Sequence, residues 1–133
     1  MRMGLLLVGA AAIAGCAPTA PVQRTAEARA HLDQLLAGRV AGPGEQCIHQ
    51  LRSRDMVTID DDTVVFRVGS INYVNNFDGK GCPHLARPGT AMVTRSPAGD
   101  RLCSGEIVTI TDTVNGMVVG ACSFGDFIPY RKT

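Results

Sequence analysis

Met56-Val57-Thr58-Ile59-Asp60-Asp61-Asp62-Thr63-Val64-Val65-Phe66-Arg67-Val68-Gly69-Ser70-Ile71-Asn72-Tyr73-Val74-Asn75 consists of three short runs rich in β-branched and aromatic residues, separated by two turn signals. Such runs favour extended backbone because branched and aromatic side chains fit a pleated, half-buried surface. Asp61-Asp62 and Gly69-Ser70 are turn formers, the aspartates by bonding nearby backbone amides and glycine by accepting positive φ. The stretch predicts a three-strand meander over 56–60, 63–67 and 71–75.

Working outward, Glu106 to Asp112 and Met117 to Cys122 flank Asn115-Gly116, the strongest short-range hairpin signal. Ala91 to Thr94 is a further strand candidate, behind the Pro- and Gly-rich residues 79–89. Toward the N-terminus, Thr25 is suited to an N-cap and Glu27 to a first turn. Ala28, Leu32, Leu35 and Leu36 then fall on one face, and Gly38 can end the helix. This predicts an amphipathic helix over 25–38, packed on its own domain; a partner-binding or membrane-lying helix is the other reading of its apolar stripe. Residues 38–44 read as a linker, lacking the Lys-Ser/Thr ending of a phosphate loop. The expected fold class is mainly β: a small, strongly bent antiparallel sheet or partly open barrel over 45–133, with one N-terminal helix.

The chain opens with Met1-Arg2-Met3, followed by a short apolar run from Gly4 that ends in Ile13-Ala14-Gly15-Cys16. A basic start, about a dozen apolar or small residues and a small-residue cleavage site describe a secretory signal peptide, here 1–15. The run is short of the roughly 20 apolar residues that span a bilayer. Cysteine as the first residue after cleavage resembles a bacterial lipobox, which implies diacylglycerol on the Cys16 sulfur and an acyl chain such as palmitate on its amine. Residues 16–24, with Pro18 and Pro21, then form a lipidated tether. Ala17, where enterobacterial sorting reads aspartate as an inner-membrane retention signal, points to the outer membrane facing the periplasm.

Without Arg2 the chain carries as many basic as acidic side chains, scattered rather than clustered, so no nucleic-acid partner is implied. Residues 16–133 suffice for one domain with a modest core. With Cys16 assigned to lipid, Cys47, Cys82, Cys103 and Cys122 remain, an even count that in an exported domain reads as two disulfides. No Cys-x-x-Cys spacing occurs, His31, His49 and His84 are dispersed, and Cys82-Pro83-His84 alone is a poor ligand pair, so no metal or cofactor is expected. A two-residue loop at Asn115-Gly116 sets Cys122 opposite Thr109 and leaves Cys103 about 20 Å further along its strand. Bridged Cα atoms lie about 4.4–6.8 Å apart, which argues against Cys103–Cys122. Two connectivities stay open: Cys47–Cys103 with Cys82–Cys122, or Cys47–Cys122 with Cys82–Cys103.

Gly38-Arg39-Val40-Ala41-Gly42, Cys47-Ile48, Arg52-Ser53, Ile59-Asp60, Phe66-Arg67-Val68-Gly69-Ser70 and Tyr73-Val74-Asn75, followed by Leu102-Cys103-Ser104, Ile107-Val108 and the ending 124–130, resemble a family of small exported proteins of sphingomonad-type alphaproteobacteria. The resemblance runs from the helix end through nearly all of the remaining chain. The family is a domain of unknown function, so the resemblance implies no substrate. Its pattern centres on the Cys-Ile and Leu-Cys-Ser cysteines, which implies Cys47–Cys103 as the basic bridge and Cys82–Cys122 as an added one.

Three constellations have competing readings. Asp60, Asp61 and Asp62 are dense enough for calcium but lack the alternation and distal Glu of an EF-hand loop, so a turn is expected. His49 alternates with Cys47 and Leu51 and reads as a packed residue, while Glu106, Asp126 and His49 would make a hydrolase only if they converged in one cleft. Phe124, Phe127 and Tyr130 read as the closure of the barrel end; their other reading is a docking surface for peptide or glycan. No nucleophile elbow is present and no enzyme is expected. The sequence thus points to an envelope lipoprotein acting as a structural or interaction accessory, anchored to the membrane through lipid, with an envelope protein as partner. The alternative is a periplasmic module binding a small molecule, glycan or peptide.

Overall fold

A computed structural model describes residues 24–49, 55–97 and 99–133. The expected signal peptide over 1–15, Cys16 and most of the expected tether lie outside the described residues, as do Leu51, Arg52 and Ser53. The fold is mainly β with one helix: α1 (Ala26–Leu36), β1 (Arg39–Ala41), β2 (Cys47–His49), β3 (Met56–Thr58), β4 (Thr63–Val68), β5 (Ile71–Asn76), β6 (Thr90–Thr94), β7 (Arg101–Cys103), β8 (Ile107–Asp112), β9 (Val118–Ser123) and β10 (Phe127–Lys132). The strands form three antiparallel sheets, ordered β1-β10-β5-β4-β3, β2-β7 and β6-β8-β9, and none closes into a barrel.

The meander is the spine of the five-stranded sheet. Val64 and Phe66 of β4 point to one face and Val65 to the other, and the register sets Phe66 opposite Tyr73 and Val65 opposite Val74. Both faces are covered, so β4 reads as a nearly unbroken buried run. α1 covers one face: Ala28, Leu32, Leu35 and Leu36 pack with Val57, Ile59, Val65, Val74 and Tyr130. The helix stripe is therefore spent on its own domain. Its N-terminus is capped by Thr25, whose hydroxyl accepts from Ala28 N, and Gly38 leaves it with φ +69°. The buried Asn72 side chain donates to Leu35 O at 2.7 Å, supplying one of the carbonyl partners that the last helical turn lacks.

The opposite face holds the main core. Val64, Phe66, Tyr73 and Phe127 meet Ile48 of β2, Leu102 of β7, and Val108 and Ile110 of β8. Phe66, Phe77, Phe124 and Phe127 form a ring cluster with centroid separations of 5.5–6.0 Å. Such pairs add attraction beyond simple burial.

Two expectations are corrected here. Residues 39–41 are a strand: β1 pairs with β10, Arg39 opposite Lys132, so this part of the expected linker belongs to the sheet. β10 itself enters the middle of the sheet despite Pro129. The Pro129 carbonyl accepts from Gly42 N, so its missing N–H faces the Gly42-Pro43-Gly44 break between the paired residues of β1 and the Glu45–Phe127 bridge. The C-terminal hairpin also has a longer loop than a two-residue turn. Asp112 N donates to Met117 O, Gly116 N donates to Asp112 O, and Gly116 sits at φ +72°. Together with the irregularity after Ile110, this sets Cys122 opposite Val108 rather than Thr109.

The disulfides join Cys47 to Cys103 and Cys82 to Cys122. The first links directly opposite residues of the β2-β7 ribbon. The second clamps the loop after β5 onto β9, where Gly120 is obligatory because a Cβ would meet the Pro83 carbonyl oxygen.

Candidate functional site

The β2-β7 ribbon has one face in the core and one in solvent. Ile48 and Leu102, directly opposite each other, point inward; the Cys47–Cys103 bridge and the His49/Arg101 pair point outward. This ribbon forms one wall of a shallow cleft of about 260 Å³, completed by Glu45, Val68 and Tyr73. Glu45 is fixed by backbone exchange with Phe127, and its carboxylate lies 3.4 Å from the Arg131 guanidinium. Burial first, and then the negative charge of Glu45 beside it, push the Tyr73 phenol above its ordinary range, while the Arg131 charge opposes them. Tyr73 therefore serves as a neutral hydrogen-bonding group rather than a nucleophile. The cleft offers a guanidinium, an imidazole, a phenol and a carboxylate, a set suited to holding a small polar group. Among its lining residues there is no serine, threonine or free thiol.

His49 is exposed rather than packed, because its face of β2 is the outward one. It does not meet the acids proposed as its partners: neither Glu106 nor Asp126 lines its cleft. Glu106 instead accepts from the Ser96 hydroxyl at 3.1 Å, with its other carboxylate oxygen buried and unpartnered among the described residues, while Asp126 is exposed. His31 and His84 are exposed too. Phe124 and Phe127 are completely buried and Tyr130 packs against α1, so the aromatic ending is core and not a docking surface. Asn75, itself fully buried, grips the Gly125 backbone from both sides, donating to its carbonyl at 2.8 Å and accepting from its amide at 3.2 Å.

No family model, curated protein or solved structure matches this chain. The site is accordingly read from its own geometry.

The aspartate trio forms a turn whose members work in different directions. Asp60 accepts from Asp62 N and pairs with Arg24 at 2.8 Å; Asp61 accepts from Ala86 N at 2.7 Å. Among the described residues no group of His, Cys, Asp or Glu is arranged to hold a metal ion. Burial, followed by the charges of Asp60 and Asp61, raises the Asp62 carboxyl above its ordinary value of 3.8, with Arg24 opposing. A carboxyl raised in the folded state binds its proton more tightly there than in the unfolded chain, so its ionisation costs stability as pH rises. Asp62→Asn is therefore expected to raise the melting temperature at neutral pH, and the gain is expected to vanish below about pH 3, where Asp62 is protonated in both states. Asp61→Asn, which keeps the acceptor oxygen for Ala86 N, is expected to shift stability by no more than about 0.5 kcal/mol. Melting curves over a pH series check both.

Proposed function

We propose that this protein is an envelope lipoprotein, anchored through Cys16, that acts through contacts rather than chemistry as an accessory to an envelope protein. The observation that carries this reading is the outward face of β6-β8-β9. Val93, Thr109 and Ala121 lie side by side across it, as do Ala91, Thr111 and Val118, and Ile107 extends it. Val93 is 41% and Ile107 63% exposed, and none of these residues is charged. An uncharged face with exposed apolar side chains is typical of surfaces that meet another macromolecule. The two disulfides fit an oxidising compartment, and the Cys16 lipobox supplies the address.

A photo-crosslinking residue placed at Val93 in cells tests this. A reproducible envelope protein captured from Val93, not from His31 on the outer side of α1, and lost with Cys16→Ala supports the reading. An empty capture from Val93 counts against it. A second reading rests on the polar cleft. If Glu45, His49, Tyr73 and Arg101 hold a small carboxylate-bearing ligand, titration of such compounds perturbs the His49 imidazole resonances, and Arg101→Ala removes the perturbation.

A further inference from the structure

We infer that the β8-β9 hairpin tip is a membrane-dipping element, and that the occupant of its apolar surface is the bilayer to which the chain is tethered. This rests on the lipid-anchor reading of Cys16. Val114, Met117 and Val118 at the tip are 92%, 64% and 61% exposed, the first being the most exposed large hydrophobic side chain in the described molecule. No charged residue occurs from Thr113 to Gly125.

An apolar tip enters a bilayer interface cheaply only if its backbone polar groups carry their partners with them. Here they do. Val114 N and Asn115 N both donate to Asp112 Oδ1, Gly116 N donates to Asp112 O, and Met117 N donates to Asn115 Oδ1. Thr113 N is bound to Gly89 O. Five successive amides are thus satisfied within the protein, and Val114, Met117 and Val118 turn their hydrocarbon outward beside the exposed Asn115.

The position of the tip fits the tether. Arg24 pairs with Asp60, Asp61 accepts from Ala86 N, and Gly89 O accepts from Thr113 N. These contacts join the exit of the tether, the β3-β4 turn and the base of the tip through the loop before β6. From Cys16 to Arg24 the chain reaches at most about 28 Å. A tether of this length keeps the bilayer within reach of the tip. Because residues 113–118 are uncharged and the only charged group bound into the loop is the Asp112 carboxylate, the contact is apolar and needs no anionic lipid.

The chain contains no tryptophan, so Val114→Trp places a single reporter at the tip. The full lipidated chain is reconstituted in phosphatidylethanolamine-rich vesicles with brominated acyl chains. The expected result is a blue-shifted V114W emission quenched several-fold more than that of V40W, a control on β1, and undiminished in high salt. Adding Met117→Asp and Val118→Asp to V114W is expected to abolish the quenching while circular dichroism stays unchanged. An unquenched, water-like V114W emission overturns the inference and leaves the tip to a protein partner. Acyl labelling of Cys16 in cells, read separately, reports the anchor itself. Should that labelling fail, the anchor reading falls, and quenching of V114W in the unlipidated chain added to the same vesicles decides the tip alone.

Discussion

Phe124→Ala lowers the unfolding free energy by about 3–5 kcal/mol, the largest effect expected of any single side-chain truncation in this domain. Phe124 is completely buried and contacts three other rings, with centroids 6.0 Å from Phe66, 5.7 Å from Phe77 and 5.5 Å from Phe127. These rings come from β4, the loop after β5 and β10, so the cavity opens where separate elements meet and cannot close by the shift of one. The Asn75 grip on Gly125 holds the backbone in place and limits relaxation further. Denaturant unfolding of the variant checks this; a midpoint close to that of the wild type would show that Phe124 is not central to the core.

Replacing the Cys47–Cys103 bridge by Cys47→Ser with Cys103→Ser costs about 2–4 kcal/mol, comparable to a large share of the stability of a small domain. The bridge spans 56 residues and ties together a two-stranded ribbon whose strands are only three residues long. Without it, the pairing of β2 and β7 rests on one ladder and on Ile48 and Leu102 beneath. The outward wall of the cleft, carried by the same ribbon, is expected to loosen together with the fold. Chemical denaturation read by circular dichroism gives the stability change, and histidine resonances report whether His49 has changed its surroundings. Unchanged midpoints would remove the bridge from the account of how the domain is held together.

The elements legible in the sequence are those long enough to show a period or marked by a cap. α1 announces itself by Thr25, its apolar stripe and Gly38, and the structure uses all three. The β3-β4-β5 meander shows in its β-branched and aromatic runs and in the two turn signals between them. β1 and β7 are three residues each, too short to show any alternation, and their pairing partners lie far along the chain. β10 was hidden by Pro129, whose acceptability depends on a break in a strand almost ninety positions earlier, which only the assembled sheet reveals. The cleft was illegible for a similar reason. His49 stands out in the sequence, but Glu45, Tyr73 and Arg101 reach its cleft from the β1-β2 connection, β5 and β7, and no spacing along the chain announces such a meeting. The pairing of His49 with Arg101 follows from a ribbon register that the opposed cysteines fix.

The order of the cysteines has a consequence for biogenesis. Their pairs interleave, because Cys82 lies inside the span closed by Cys47 and Cys103, and Cys122 lies outside it. On the proposed export reading, a chain delivered N-terminus first presents Cys47 and Cys82 before either true partner has emerged, and an oxidase working in order of arrival joins those two. Reaching the native pattern then requires attack of a later thiolate on that premature bond. Maturation is therefore expected to depend on a disulfide isomerase as well as an oxidase, and cells lacking the isomerase should accumulate the Cys47–Cys82 form.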